Sequence, residues 1–275
     1  SGRVVRSLVH IDARSLTFFD DGAGWHQAVI DLVVIAFGDN GRTLGQLNKT
    51  LTIRAKGDEY RAMMDRGLVY NINLPVKKEG AYQVRFAVRD ATSKKIGSGS
   101  QFLNIPNINK GRLALSGIVL TGLGSIRQTA ATSQEIAKAQ QPVQAIGAAT
   151  SSREPAEENH NAPSDDSPAV RRFSPGERLD LGFIVFNAKL DKSTRKPGLK
   201  LQMRVFKDGD LVTEGPSIAF DPGQPSDPER VGAGGTLALN SNMAPGHYAV
   251  QVVCTDLLAS VRHQIATSWM DFEIK

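Results

Sequence analysis

The chain of 275 residues has one cysteine, Cys254, so neither an internal disulfide nor a thiolate metal cluster can form, because each needs a second sulfur. No uncharged apolar run approaches the roughly 18 residues of a membrane span, and no charged-then-apolar leader is legible. A helical membrane protein is thereby excluded. The opening Ser1-Gly2, without Met, predicts a piece cut from a longer polypeptide. The five histidines, at 10, 26, 160, 247 and 263, include no His-x-x-x-His pair of the kind that grips a metal from one helix face. No Gly-x-Ser-x-Gly elbow occurs, which removes the commonest sequence cue for a serine hydrolase.

Charge is present in both signs. Residues 1–110 carry 16 basic and 10 acidic side chains and residues 111–275 carry 17 and 18, so the net charge of +5 arises in the first part. The basic doublets Lys77-Lys78, Lys94-Lys95, Arg171-Arg172 and Arg195-Lys196 each stand beside a turn or strand start. Charges dispersed in this way are a solvated surface; nucleic-acid binding needs them gathered on one face, with aromatics where the target is single-stranded.

The periodicity is that of strands. Apolar runs of five to nine residues, rich in Val, Ile, Phe and Tyr and punctuated by Gly, Pro, Asn and Asp, predict strands near 4–12, 15–19, 26–37, 43–53, 68–74, 81–89 and 98–105. A second set is predicted near 112–120, 178–188, 199–206, 210–213, 217–220, 235–239, 247–255 and 266–274. Asn40-Gly41, after Asp39, predicts a tight type I′ hairpin turn, and Asp208-Gly209 marks another. One helix is expected over Asp58–Gly67, capped by Asp58 and ended by Gly67. Residues 121–170, rich in Ala, Gln, Ser, Thr and Pro, cannot bury enough apolar area to offset their ordering entropy and predict a flexible insertion, with a short helix over Ser133–Gln140.

The sequence repeats. Gly80-Ala81-Tyr82-Gln83-Val84-Arg85-Phe86-Ala87-Val88-Arg89-Asp90 matches Gly246-His247-Tyr248-Ala249-Val250-Gln251-Val252-Val253-Cys254-Thr255-Asp256 in the pattern Gly-x-Tyr-x-Val-x-apolar-x-apolar-x-Asp. A Tyr entering the penultimate strand after a tight Gly turn is the arrangement of a tyrosine corner, which assigns Tyr82 and Tyr248 structural roles. The expected fold is all-β: two tandem immunoglobulin/fibronectin-III-like β-sandwiches, over 1–106 and 112–275, joined by a linker at 107–111, with the polar insertion 121–170 in the second.

Nothing in this pattern assembles catalytic chemistry. Cys254 falls in phase with Tyr248, Val250 and Val252 and is expected in the core, where burial disarms a thiol. Gly122-Leu123-Gly124-Ser125-Ile126-Arg127 begins like a dinucleotide fingerprint but places Arg127 where the third glycine belongs. Gly232-Ala233-Gly234-Gly235 lacks the Lys-Ser/Thr of a phosphate loop and is expected as a flexible hairpin entry. The acidic pairs Asp20-Asp21 and Asp165-Asp166 lack the alternating spacing of a calcium loop. No catalytic, cofactor or metal residue is therefore assigned. In the last strand Met270, Phe272 and Ile274 share one phase, which places Trp269 on the outer face as a candidate interface residue.

The stretches Gly24-Trp25-His26-Gln27-Ala28, Phe37-Gly38-Asp39-Asn40-Gly41, Gly111–Leu120, Val185-Phe186-Asn187-Ala188, Pro245–Asp256 and Ser268–Ile274 carry a likeness. With them the chain resembles the C-terminal region of VWFA-related proteins of the acidobacterial type, whose N-terminal part is a von Willebrand factor A-like domain. The likeness spans nearly all the chain outside 121–170. It implies a secreted or envelope protein whose A-like domain binds a partner through a metal. That domain's Asp-x-Ser-x-Ser motif is absent, since Asp12-Ala13-Arg14-Ser15 has the wrong spacing. The expected function is a non-catalytic interaction or spacer module, contacting a protein partner or the protein's own A-like domain. The alternative is an accessory carbohydrate- or peptide-binding domain of a secreted enzyme.

Overall fold

A computed structural model describes residues 3–76, 78–108, 111–122, 167–223, 227 and 229–275. The helix expected over 133–140, His160, Asp165-Asp166 and the glycine pattern beyond Gly122 lie outside the described residues. The chain forms two compact units that divide between Ile105 and Pro106, each an all-β sandwich with its own core.

In the first unit β1 (Arg3–Ile11) precedes a 3-10 turn at Ala13–Ser15, followed by β2 (Phe19–Asp20), β3 (Trp25–Gly38), β4 (Thr43–Lys56), α1 (Gly57–Arg66), β5 (Leu68–Val76), β6 (Gly80–Asp90) and β7 (Ile96–Ile105). One sheet is the antiparallel pair β1-β5. The other runs β4-β3-β6-β7, with β2 beside the start of β3. Alternation decides which side chains fill the space between the sheets: Ile30, Leu32, Val34 and Ala36 of β3 share a core with Leu68, Tyr70, Ile72, Leu74 and Val76 of β5, all buried.

The second unit repeats the plan and adds to it. Its strands are β8 (Ala114–Leu115), β9 (Val119–Gly122), β10 (Arg172–Phe173), β11 (Arg178–Phe186), β12 (Leu199–Lys207), β13 (Asp210–Glu214), β14 (Ile218–Phe220), β15 (Arg230–Ala238), β16 (Gly246–Asp256) and β17 (Ile265–Ile274). One sheet runs β15-β11, with β8 and β9 sharing the far edge of β11; the other runs β10-β17-β16-β12, with β13 and β14 on the far edge of β12. Residues before β8 belong to this unit. Asn187 Nδ2 donates to Ile108 O at 2.7 Å and Arg112 O at 3.1 Å, and Ile108 packs on Ala114, Ile184 and Phe186.

The repeat seen in sequence is a repeat in space. β6 and β16 each span the matched eleven residues, each opens on a glycine with positive φ (129° at Gly80, 140° at Gly246), and each pairs with the last strand of its unit, Tyr82 with Leu103 and Tyr248 with Phe272. Both rings are buried, and each hydroxyl donates to the carbonyl four residues upstream: Tyr82 to Lys78 O at 2.7 Å, Tyr248 to Ala244 O at 2.8 Å. At the other end of each strand stands a buried aspartate, Asp90 at 2% and Asp256 at 0% exposure.

Several local expectations give way to specific contacts. Residues 15–19 are not a strand: the Asp12 carboxylate accepts the Arg14 amide and Ser15 Oγ bonds Asp12 O, which winds 13–15 into the 3-10 turn and leaves only 19–20 paired as a strand. The turn at Asp39-Asn40-Gly41 is not type I′, because Gly41 alone has positive φ (72°) and its N–H bonds Gly38 O; the extra residue is absorbed as a bulge at Ala36/Phe37. Asp208 (φ 54°) and Gly209 (φ 91°) do form a two-residue turn with both angles positive. Asp58 does not cap α1. Lys56 occupies the cap position with no side-chain bond, and Asp58 pairs with Arg61 inside the first turn. The strand expected over 112–120 breaks in two because Ser116 Oγ accepts the Ile184 amide. Gly232–Gly235 is no hairpin entry: it lies within β15, where a Cβ on Gly234 would sit 2.4 Å from Leu181 O.

Removing the Tyr248 hydroxyl while keeping its ring isolates the corner bond. Tyr248→Phe is expected to cost about 1 kcal/mol and Tyr248→Ala roughly 3–5 kcal/mol in urea unfolding, with the same ranking at Tyr82.

Candidate functional site

The outward face of the second unit's larger sheet gathers the side chains that the core does not take. β17 alternates so that Met270, Phe272 and Ile274 turn toward the core and Trp269 and Asp271 turn out; Trp269 is 48% exposed. On β12 the inward residues are Leu199, Leu201, Met203 and Val205, so Phe206 also faces out, and its ring lies 5.0 Å from that of Trp269, centroid to centroid. With Asp208, Gly209, His247, Ala249 and Asp271 these two rings line an open cleft of about 500 Å³. Two rings give it an apolar floor and two carboxylates give it acceptors at the rim.

Gln251 stands opposite Trp269 in the β16-β17 register and opposite Arg204 in the β12-β16 register. It is buried on this outer side of the sheet, and its Oε1 has no hydrogen-bond partner among the described residues. A buried acceptor without a donor costs roughly 1–3 kcal/mol and needs a physical account.

The first unit has a cleft at the same place. Phe37, Gly38, Asp39, Gly41, Tyr82, Gln83, Arg85 and Phe102 line about 430 Å³; Phe37 pairs with Gln83 as Phe206 pairs with Ala249. Its chemistry differs. The Arg85 guanidinium lies 5.3 Å over the Phe37 ring and donates to Gln83 Oε1 at 3.0 Å, while Phe102 is 76% exposed. One groove thus presents a cation, an amide and one carboxylate, the other two carboxylates and a histidine.

A further apolar exposure lies in the loop after β16, where Leu257, Leu258 and Val261 are exposed together with Ile265 at the start of β17. Phe206, Gln251 and this loop are not marked by any sequence motif. Counting by twos from Val205 would have turned Phe206 outward, whereas Gln251 carries no signal, since an outward Gln in a strand is ordinarily solvated.

The groups weighed for chemistry are held in structural roles. His10 Nε2 is 2.8 Å from Arg66 O, and His26 stacks on Tyr60 with ring centroids 3.7 Å apart. Asp20 accepts the Gly22 amide; Asp21 accepts those of Ala23 and Trp25 and pairs with Arg54, and the Ala23 amide leads in holding its carboxyl below the usual range. Asp191 accepts the hydroxyl and amide of Ser193 and the amide of Thr194, which lower its pKa to about 2. Burial, helped by nearby Asp256, pushes the Cys254 thiol up to about 12. Among the described residues no three of His, Cys, Asp and Glu come together as metal ligands.

No protein-family model matches the chain, and no curated protein does. Among solved structures it is similar to the BSP domain of a biofilm-associated protein, at 8% identity over 92% of this chain and 27% of that one, TM-score 0.22. It is similar also to a glycosyl hydrolase family 2 member from Bacteroides cellulosilyticus DSM 14838, at 11% identity over 98% and 28%, TM-score 0.32. A third is a tetra-tandem repeat in the extending region of a large adhesion protein, at 10% identity over 99% and 50%, TM-score 0.24. The chain spans at most half the length of each. What it does is therefore argued from its own surfaces.

Two outcomes follow from these pKa values. The Cys254 thiol is expected to stay unreactive toward iodoacetamide in the folded chain at neutral pH and to alkylate readily in urea, as mass spectrometry would record. Asp191 has a depressed folded pKa, so its stabilising effect is present in full above the unfolded value of about 3.9 and is lost as pH falls through about 2. The difference in urea midpoint between the natural chain and Asp191→Asn should be constant above about pH 4 and shrink toward about pH 2.

Proposed function

We propose that the chain is a non-catalytic interaction module of a secreted or envelope protein, and that its contact surface is the outer face of the β12-β16-β17 sheet around Trp269. The observation that carries this reading is the Trp269–Phe206 ring pair standing outside the core on a rigid sheet. Aromatic anchors of this kind supply much of the energy of protein interfaces, because they bury large area at small entropic cost. The apolar loop at Leu257, Leu258 and Val261 enlarges the surface available. Against catalysis stand the buried, high-pKa thiol and the engagement of His10 in hydrogen bonding and of His26 in packing.

The likeness of Pro245–Asp256 and Ser268–Ile274 to the tails of VWFA-related proteins supports a more specific reading. On it the partner is a protein, either the A-like domain of the same polypeptide or another surface protein, and the location is secreted or cell envelope. A second reading, an accessory carbohydrate- or peptide-binding domain, is favoured by one feature. Two rings beside the carboxylates of Asp208 and Asp271 match the apolar face and hydroxyl donors of a sugar.

Trp269→Ala separates surface from scaffold. It is expected to change unfolding free energy by no more than about 1 kcal/mol, because the ring is half exposed. It should also weaken capture of the A-like domain, measured by surface plasmon resonance, by about tenfold or more. Capture unchanged by the substitution would remove this face from the contact. Binding to an immobilised glycan array, lost in the same variant, would establish the second reading in its place.

A further inference from the structure

Cations that stand apart in the sequence of the first unit fall into line on its larger sheet. In β3 the even-numbered residues from Ala28 to Ala36 are buried, so the odd-numbered ones, from Trp25 to Phe37, turn outward. The register then places their neighbours. Arg54 of β4 stands opposite Gln27, Arg89 of β6 opposite Asp31, and Arg85 of β6 opposite Ile35. Along β3 the three guanidiniums thus fall four residues apart, about 13 Å per step at the rise of an extended strand. Lys56, opposite Trp25, continues the row at one end, and all four cations are exposed.

Little charge of the other sign opposes them. Among the described residues Asp31 is the one carboxylate at an outward position of β3, β4, β6 and β7, while Asp21 and Asp39 stand in the loops at the two ends of β3. Arg89 donates to Asp31 at 2.7 Å, Arg54 to Asp21 at 3.3 Å and Arg85 to Gln83 Oε1 at 3.0 Å. These bonds aim the guanidiniums without exhausting them, because each carries five donors. Ion pairs so exposed, with 51% of the Arg54 and Arg89 side chains open to solvent, add little to stability. Nor does the strand itself require the charges: in the repeat, Gln251 and Thr255 hold the places of Arg85 and Arg89. On that second face Arg204 is matched by Glu214 at 2.7 Å, and Asp271 and Glu273 add carboxylates.

We propose that the outer face of the β4-β3-β6-β7 sheet binds an acidic polysaccharide, laid along β3 so that its carboxylates or sulfates meet Arg54, Arg89 and Arg85 in turn. A linear polymer with a charge in every repeat is what an evenly spaced row of cations can hold. The steps exceed the Debye length of about 8 Å at physiological ionic strength, so the cations repel one another little and each engages a separate charge. Contacts that are weak singly then add through avidity. Gln46, Asn48 and Thr52 of β4 face the same way and offer amides and a hydroxyl to sugar hydroxyls, while the half-buried Val29, Val33 and Ile35 offer an apolar bed to the C–H faces of the rings. Single-stranded nucleic acid fits less well, because its bases stack on rings set along the track. Here Trp25 and Phe37 stand at the two ends of β3, and among the described residues no ring occupies an outward position of β3, β4 or β6 between them. The site belongs to the other unit from the Trp269 face and stands independently of that reading.

The test titrates the full chain by calorimetry, at low and at physiological salt, with polygalacturonate, with dextran sulfate and with methyl-esterified polygalacturonate as the uncharged analogue. Two double variants are compared with Trp269→Ala: Arg85→Gln with Arg89→Thr, which takes the second unit's residues, and Arg54→Gln with Lys56→Gln on the neighbouring strand. Urea midpoints show that a variant is folded, and either double variant suffices. The expected result is binding to at least one acidic polymer, weakened about tenfold or more by a folded double variant, weakened also by salt, and unchanged in Trp269→Ala. Four results would overturn the proposal. Binding to neither acidic polymer would leave the face without this ligand, and equal binding of the esterified polymer would mean that charge is not what is recognised. Binding lost in Trp269→Ala but kept in the folded double variants would move the sugar to the other unit. Tighter binding of oligothymidylate or of poly-glutamate under the same conditions would make the partner a nucleic acid or an acidic protein.

Discussion

Each sandwich depends on one strand clamped at both ends. At its entry the strand is fixed by the tyrosine hydroxyl on the carbonyl four residues back; at its exit it is fixed by a buried carboxylate. Asp90 accepts the amides of Thr92 and Ser93 from its own turn and that of Thr17 from the connection between β1 and β3. Asp256 accepts Leu258 from its own turn and Lys189 from the connection between β11 and β12. A carboxylate taken out of water is tolerated only when backbone donors replace its hydration. For Asp90 burial raises the pKa and the amides of Thr17, Ser93 and Thr92 more than offset it, leaving the group below its ordinary range. Because one of those amides comes from the opposite sheet's connection, the bond fixes the relation of the two sheets as well as the turn.

That constraint is why so much of the fold was legible. The pattern Gly-x-Tyr-x-Val-x-apolar-x-apolar-x-Asp contains the positive-φ entry, the corner ring, the inward alternation and the buried carboxylate, so its two occurrences mark both units in the sequence alone. What the pattern left out was set by contacts outside it, two of them distant in sequence and one local. Ser116 splits a strand only because Ile184 lies opposite; Gly234 is glycine only because Leu181 O approaches its Cα; residues 13–15 coil because Asp12 offers a carboxylate at short range. The outer face is half legible, since Trp269 follows from alternation while Gln251 has the pattern of any solvated strand residue and is nonetheless buried, its Oε1 without a partner among the described residues.

The repeat also shows where the two units diverge. The clamp and the inward rows are held by packing, which penalises change, whereas the outward row tolerates it. Phe37 and Phe206 occupy the same register, yet the first is covered by Arg85 and the second leans on Trp269. The same freedom lets one unit carry an edge strand, β10, that has no counterpart in the other among the described residues.

The clamp is tested most directly at two amides that belong to no strand ladder, Thr17 and Lys189, by native-state hydrogen exchange with each aspartate intact and removed. Both amides should exchange slowly in the natural chain, Thr17 should be released to near-solvent rates by Asp90→Ala, and Lys189 should be released by Asp256→Ala. Fast exchange of either amide in the natural chain, or rates indifferent to loss of its aspartate while β6 and β16 stay protected, would contradict the account.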